Sequence, residues 1–162
     1  MLEIIYKPIG VIHSPFADVE DMPIQATAAS GIPGTVQIDP AFVPGLKDLE
    51  GFSHLILIYH FHLSREHSLE VIPFLDDRPR GVFATRAPSR PNPIGFSVVR
   101  LTGVRGNTLH IEDVDMVDGT PLLDIKPFIP EFDNHHPERL GWLSGMEGAV
   151  QTIRSDKRFD SR

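Results

Sequence analysis

Apolar positions along the chain come in short runs rich in β-branched and aromatic residues, broken by Pro and Gly. Runs of roughly four to eight such residues, bounded by turn-formers, read as strands rather than helices. The pattern predicts strands over 3–14, with a break near Lys7-Pro8, and over 34–39. The run 53–62, SHLILIYHFH, is apolar at odd and even positions alike, which predicts a central strand covered on both faces. Residues 69–74 read as strand or loop, and 81–86, GVFATR, as a strand. Further strands follow over 95–104, 108–113 and 122–127, the second after the turn-like Arg105-Gly106-Asn107. Helix signals are confined to 40–49 and 137–145. Many strands with turn residues between them predict a mainly β fold with short helices, a barrel or a sandwich.

Length changes little in this picture: 162 residues is one domain's worth. The β pattern fills 1–135; residues 136–162 turn polar and charged and read as a mobile C-terminal extension. The chain has no cysteine, which excludes a disulfide scaffold, a thiolate zinc site and a cysteine nucleophile. No apolar run approaches the ~20 residues of a membrane helix. The start, MLEIIYKPIG, is not a basic region followed by an apolar one, so no signal peptide is expected and the cytoplasm is the predicted compartment.

Charge is more informative once divided. The net charge of −7 speaks against a nucleic-acid partner. Residues 78–111, however, carry six arginines (Arg78, Arg80, Arg86, Arg90, Arg100, Arg105) and no acid. The guanidinium fork suits carboxylate and phosphate, so an anion site and a set of solvated strand ends are both open readings.

Four constellations bear on chemistry. In 81–95, GVFATRAPSRPNPIG, Pro88, Pro91 and Pro93 stiffen a loop carrying Arg86, Ser89, Arg90 and Asn92. Proline fixes φ and restricts its predecessor, so such a loop orders at little entropic cost when a ligand docks; an ordinary Pro-rich turn is the plain alternative. Asp113, Asp115, Asp118 and Asp124 cluster around the turn signal Asp118-Gly119. They suit hydrogen-bond acceptance from ribose or amino groups, proton abstraction, or simple turn capping. His54, His60 and His62 share a strand face, and His135-His136 follow later, but no metal-binding motif accompanies them and no metal is expected. Pro23-Ile24-Gln25, after Asp21-Met22, offers an amide able to read a polar edge. Neither common phosphate-cradling glycine loop occurs, nor a GxSxG elbow.

These stretches carry a resemblance. Ile9–Phe16 (IGVIHSPF), Pro23-Ile-Gln25, Gly51–Leu55 running into Tyr59–His62, the long 81–95 signature and 115–127 (DMVDGTPLLDIKP) occur together and in order. The chain resembles the TsaA/TrmO family of tRNA methyltransferases over about residues 5–133, and most specifically in GVFATR…RPNPIG. The resemblance implies a single-domain β-barrel methyltransferase, not a Rossmann one, that uses S-adenosylmethionine. It also implies a homodimer, and N6-methylation of threonylcarbamoyladenosine at position 37 of threonine tRNA, in the anticodon loop. By position it implies cofactor contacts from Pro23, Gln25, His62, Leu63, Arg86, Phe96 and Asp115. It gives Arg90 and Asn92 to substrate or loop shape, and Asp115 and Asp118 to the second acidic motif, the hypothesised proton acceptors. Two other classes stay open: a barrel methyltransferase acting on a small molecule or another RNA, and a non-catalytic module that binds an adenosine-like ligand.

Overall fold

The computed structural model describes residues 2–20, 22–146 and 152–159. Strand β1 (Gly10–His13) pairs on one side with β2 (Gly34–Ile38) and on the other with the last barrel strand, β8 (Thr120–Pro127). From β2 the ring continues through β7 (Thr108–Glu112), β6 (Ile94–Arg105) and β3 (His54–His60), and β3 returns to β8. Every pairing is antiparallel and the sheet closes, so of the two folds left open by the strand pattern the barrel is the one adopted. Closure removes the edge that an open sheet would expose.

Strand alternation fills the interior. Ile12, Val36, Ile38, Leu55, Leu57, Tyr59, Val99, Leu109, Ile111 and Leu122 point inward, and Val114 and Met116 join them from the connection between β7 and β8. Strand β3 is buried at every second residue, and its outer face is half-buried rather than sealed. Gly95 shows how tightly β6 lies on β3: a Cβ there would sit 2.4 Å from Tyr59 Cε2 and 2.6 Å from Phe61 Cζ.

Several predicted elements change. The first strand shrinks from 3–14 to Gly10–His13, because β2 and β8 offer partners only there; Leu2, Ile4, Ile5 and Tyr6 are exposed. The strand expected over 81–86 is absent. Instead β5 (Arg80–Gly81) pairs with β4 (Glu70–Val71) as a separate two-stranded ribbon, and a 3₁₀ turn follows at Val82–Ala84. GVFATR has strand composition but no strand to lie against, since the barrel is already closed. The helix expected over 40–49 is two 3₁₀ turns, Pro40–Leu46 and Leu49–Gly51; Pro44 lacks the N–H a continuous α-helix needs. Of 137–145 only Gly141–Leu143 turns, and one short helix stands unpredicted at Pro130–Asp133.

The extension assigned to 136–162 is not simply a tail. Residues 152–159 lie against the barrel's loops. Arg154 bridges Pro23, Ser155 Oγ donates to Val19 O, and Phe159 packs edge-on to Phe74 and against Val71, Val82 and Ala87. Residues 147–151 and 160–162 of that extension, like Asp21, lie outside the described residues. No described helix is long and apolar enough to cross a membrane.

Candidate functional site

The end of β3 and the start of β6 form one wall of a cleft of about 970 Å³. That is the size of a nucleotide-sized ligand site. Pro23, Gln25, His62, Leu63, Arg86, Phe96 and Asp115, drawn from positions 23 to 115 of the sequence, all line it, and Arg90 does too. The loops reach it because the Pro-rich segment is pinned back onto β3: Pro93 O accepts from Phe61 N at 2.8 Å and Pro88 O from Ser64 Oγ at 3.1 Å.

Arg86 is held on two sides. Its Nη1 donates to Gln25 Oε1 at 2.8 Å, and its guanidinium lies 4.9 Å from the centroid of the Phe96 ring. Both contacts orient the fork without a carboxylate consuming it, which leaves a cation able to take an anionic group.

Asp115 is the part-buried carboxylate of the site. Ser97 Oγ donates to its Oδ1 at 2.6 Å, and Tyr59 Oη lies 3.0 Å from Ser97 Oγ. Ser97 has one proton and spends it on Asp115, so Tyr59 donates to Ser97. Burial pushes the Asp115 carboxyl up to about 6; the Ser97 bond and the nearby Arg86 charge oppose the rise. Burial beside the same carboxylate also raises the Tyr59 phenol, keeping it neutral. A base raised toward neutrality in a cleft suits proton abstraction.

His62 lines the cleft just past the end of β3. Its Nδ1 is 3.4 Å from Thr120 Oγ1. Burial, and then the neighbouring His60, hold its ring below the usual histidine range, against the pull of Asp118. Among the described residues no three potential ligands converge on a metal position.

Two predicted residues do not reach the cleft lining. Asp118 sits on the outer side of its turn, where Gly119 takes φ +78, and accepts from Ser14 N at 3.1 Å with His13 Nδ1 at 3.0 Å. Burial alone would raise its carboxyl; the Ser14 and His13 contacts outweigh that and hold it below the ordinary range. Asn92 stands in the Pro-rich loop two residues before β6, its carbonyl accepting from Ile94 N at 2.8 Å. Arg90 lines the cleft, but its Nη1 faces three backbone carbonyls, of Val82 at 3.1 Å, Thr85 at 2.8 Å and Ala87 at 3.3 Å.

The arginine block is not one patch. Arg86 and Arg90 are at the cleft, and Arg80 pairs with Asp76 at 2.6 Å. Arg100 and Arg105 lie farther along β6, the first 4.0 Å from Glu112. Val98 is the last β6 residue on the cleft lining, so at ~3.4 Å per residue the strand carries Arg105 roughly 20 Å beyond it.

Tyr59 and Ser97 were not singled out by sequence. Their signal is positional. Leu55, Leu57 and Tyr59 share the inward register of β3, as Gly95, Ser97 and Val99 share that of β6, and each of the two hydroxyls stands among apolar neighbours on its own strand face.

A closed antiparallel barrel with a cofactor-sized cleft at one strand end, holding a guanidinium and a part-buried carboxylate, defines a ligand-binding protein of the non-Rossmann β-barrel class. A profile for the N-terminal domain of tRNA-methyltransferase O matches residues 11–134. The chain belongs to that family. It is 57% identical over 160 residues to a Pyrococcus abyssi protein named a probable S-adenosyl-L-methionine-binding protein, covering 99% of this chain and 87% of that one. It is 34% identical over 135 residues to the human tRNA (adenine(37)-N6)-methyltransferase, covering 79% of this chain and 31% of the human one. A crystal structure of TrmO from Pseudomonas aeruginosa superposes with a TM-score of 0.73 at 38% identity, over 87% of this chain and 63% of that one. This chain therefore spans under two thirds of the solved relative's length, and about a third of the human enzyme.

Proposed function

We propose that the protein is an S-adenosylmethionine-dependent methyltransferase that methylates N6 of threonylcarbamoyladenosine at position 37 of threonine tRNA. The observation that carries the reading is Asp115, a part-buried carboxylate that accepts from Ser97 Oγ at 2.6 Å, in the same cleft as an oriented Arg86. The donor set suits the cofactor's chemistry. Arg86 matches its carboxylate, Gln25 and the Phe96 ring suit an adenine edge and face, and the apolar lining from Met22, Leu63 and Met116 suits a methyl-bearing sulfonium. When bound, S-adenosylmethionine supplies an electrophilic methyl group.

The chain's own residues do the rest. The cleft orients the base beside the cofactor position, which supplies much of the acceleration in a group transfer. The N6 nitrogen is conjugated with ring and carbamoyl, so it must lose its proton at or near transfer; the Asp115 carboxylate accepts that proton. A base in an anticodon loop is reachable without melting a helix. The threonyl carboxylate is an anion for which Arg86 or Arg90 is a cationic partner.

We further infer a homodimer in the cytoplasm. The exposed Leu2, Ile4, Ile5 and Tyr6 are apolar surface that a second copy would cover; sedimentation of the purified chain as a monomer would overturn this. A second reading, methylation of another RNA or a small molecule, is favoured by the net charge of −7. One assay separates the readings: mass spectrometry of nucleosides from threonine tRNA incubated with protein and S-adenosylmethionine. The expected product is one methyl heavier at the modified adenosine. Cofactor binding by calorimetry without such a product would leave the second reading.

A further inference from the structure

The turn Val82–Ala84 is held more firmly than its length requires, and it presents a bare aromatic ring. Val82 is buried with Val71 and Ala87. Its carbonyl accepts from Thr85 Oγ1 at 2.9 Å and from Arg90 Nη1 at 3.1 Å. The Ala84 carbonyl accepts from Trp142 Nε1 at 2.8 Å, and the Thr85 carbonyl from Arg90 at 2.8 Å. Between these fixed points Phe83 stands 75% exposed, the most exposed large apolar side chain on the cleft lining, ahead of Phe96 at 48%. Arg90 lies 5.9 Å from the centroid of its ring.

An exposed phenyl costs solvation, and nothing in the described fold covers it. A rigid aromatic with a guanidinium against it is what an unpaired nucleobase stacks on, and such stacking needs no sequence-specific contact. The charge fits: Arg86 and Arg90 are engaged by neutral groups, the Gln25 amide and backbone carbonyls, in a stretch without acids. Phe83 differs from the cofactor residues in its contacts: Arg86 bonds Gln25 and lies on Phe96, Asp115 accepts from Ser97, and the Phe83 ring lies beside Arg90.

We propose that Phe83 is a stacking platform for an unpaired base of the substrate RNA, and that Arg90 is a positioning residue that keeps the turn beneath it fixed. This rests on the reading of the protein as an RNA methyltransferase and names how that RNA is held.

The test uses the full chain as wild type, Phe83→Ala, Phe83→Trp and Arg90→Ala. Affinity for a fluorescent anticodon stem–loop, methyl transfer to threonine tRNA, S-adenosylmethionine affinity and sedimentation are measured for each. The expected result is an approximately tenfold or greater loss of stem–loop affinity and rise in tRNA KM for Phe83→Ala, with cofactor affinity within twofold and sedimentation unchanged. Phe83→Trp restores both. Arg90→Ala gives the Phe83→Ala phenotype in RNA binding although it removes no ring. Unchanged stem–loop affinity in Phe83→Ala, an equal loss of cofactor affinity, or a change from dimer to monomer each overturns the platform, the last by making Phe83 a contact between copies. Wild type that binds the stem–loop through Phe83 but transfers no methyl group to tRNA overturns the enzymatic reading and keeps the platform.

Discussion

Ser97 commits its only proton to Asp115 across 2.6 Å, so Tyr59, 3.0 Å behind it, completes a line of two hydroxyls ending on one part-buried carboxylate. The line crosses from β3 to β6 to the connection before β8, and fixes Oδ1 of Asp115. The Ser97 bond favours the charged carboxylate. Ser97→Ala therefore moves the acidic limb of the kcat/KM pH profile to higher pH than the wild-type limb near 6. Ser97→Thr, which keeps the hydroxyl, restores it. An unmoved limb in Ser97→Ala would show that the hydroxyl does not tune the base.

Asp115→Asn has opposite effects on activity and stability. Loss of a general base costs roughly 10²–10⁴ in kcat. The native carboxyl, raised from 3.8 to about 6, holds its proton more tightly than in the unfolded chain. Stability is thus lost as pH rises from about 4 through about 6, on the order of 2–3 kcal/mol in full. Asn carries no such cost, so the variant melts higher than wild type at pH 8 and the gap closes toward pH 4. Denaturant melts of both proteins at the two pH values check it.

Arg86 is expected to act through geometry as well as charge. Arg86→Ala weakens S-adenosylmethionine binding by roughly 10- to 100-fold in calorimetry, as expected for loss of a charge-assisted contact. Arg86→Lys recovers only part of this, since an ammonium cannot keep both the Gln25 bond and a planar stack on Phe96. Full recovery by lysine would reduce the role to net charge.

Gly95 predicts a packing limit. A methyl group there meets the Tyr59 and Phe61 rings at 2.4 and 2.6 Å, and neither ring sits at the free end of a flexible chain. Gly95→Ala is expected to destabilise by about 1–3 kcal/mol and to lower activity with it, because Tyr59 is the ring that must move. Gly45→Ala, with no heavy atom within 4 Å of the added carbon, is the matched control for thermal melts.

The strands were legible where alternation and β-branching coincide with a partner, as in 34–39, 53–62 and 108–113. GVFATR misled because composition reports fitness for a sheet and not whether a sheet edge is available. The residues Gln25, His62, Arg86, Phe96 and Asp115 were nameable from the resemblance, and the fold brings them to one cleft. Sequence had no means of separating Asp115 from Asp118. They are three residues apart in a connection whose direction is set by Gly119 and by the His13 and Ser14 contacts from β1. Sequence likewise had no means of showing that Arg90 spends its Nη1 on three backbone carbonyls.

Barrel closure has a consequence for how the protein is made. The first strand pairs with the last, and the site draws Gln25, Tyr59, Arg86, Ser97 and Asp115 from across that span. Such pairing is dominated by distant contacts, so folding is slow compared with that of a helical chain of this size. On the ribosome, Gly10–His13 waits unpaired on its β8 side until Thr120–Pro127 has emerged. No partly synthesised chain holds the complete cleft, and ligand binding stabilises only the closed ring.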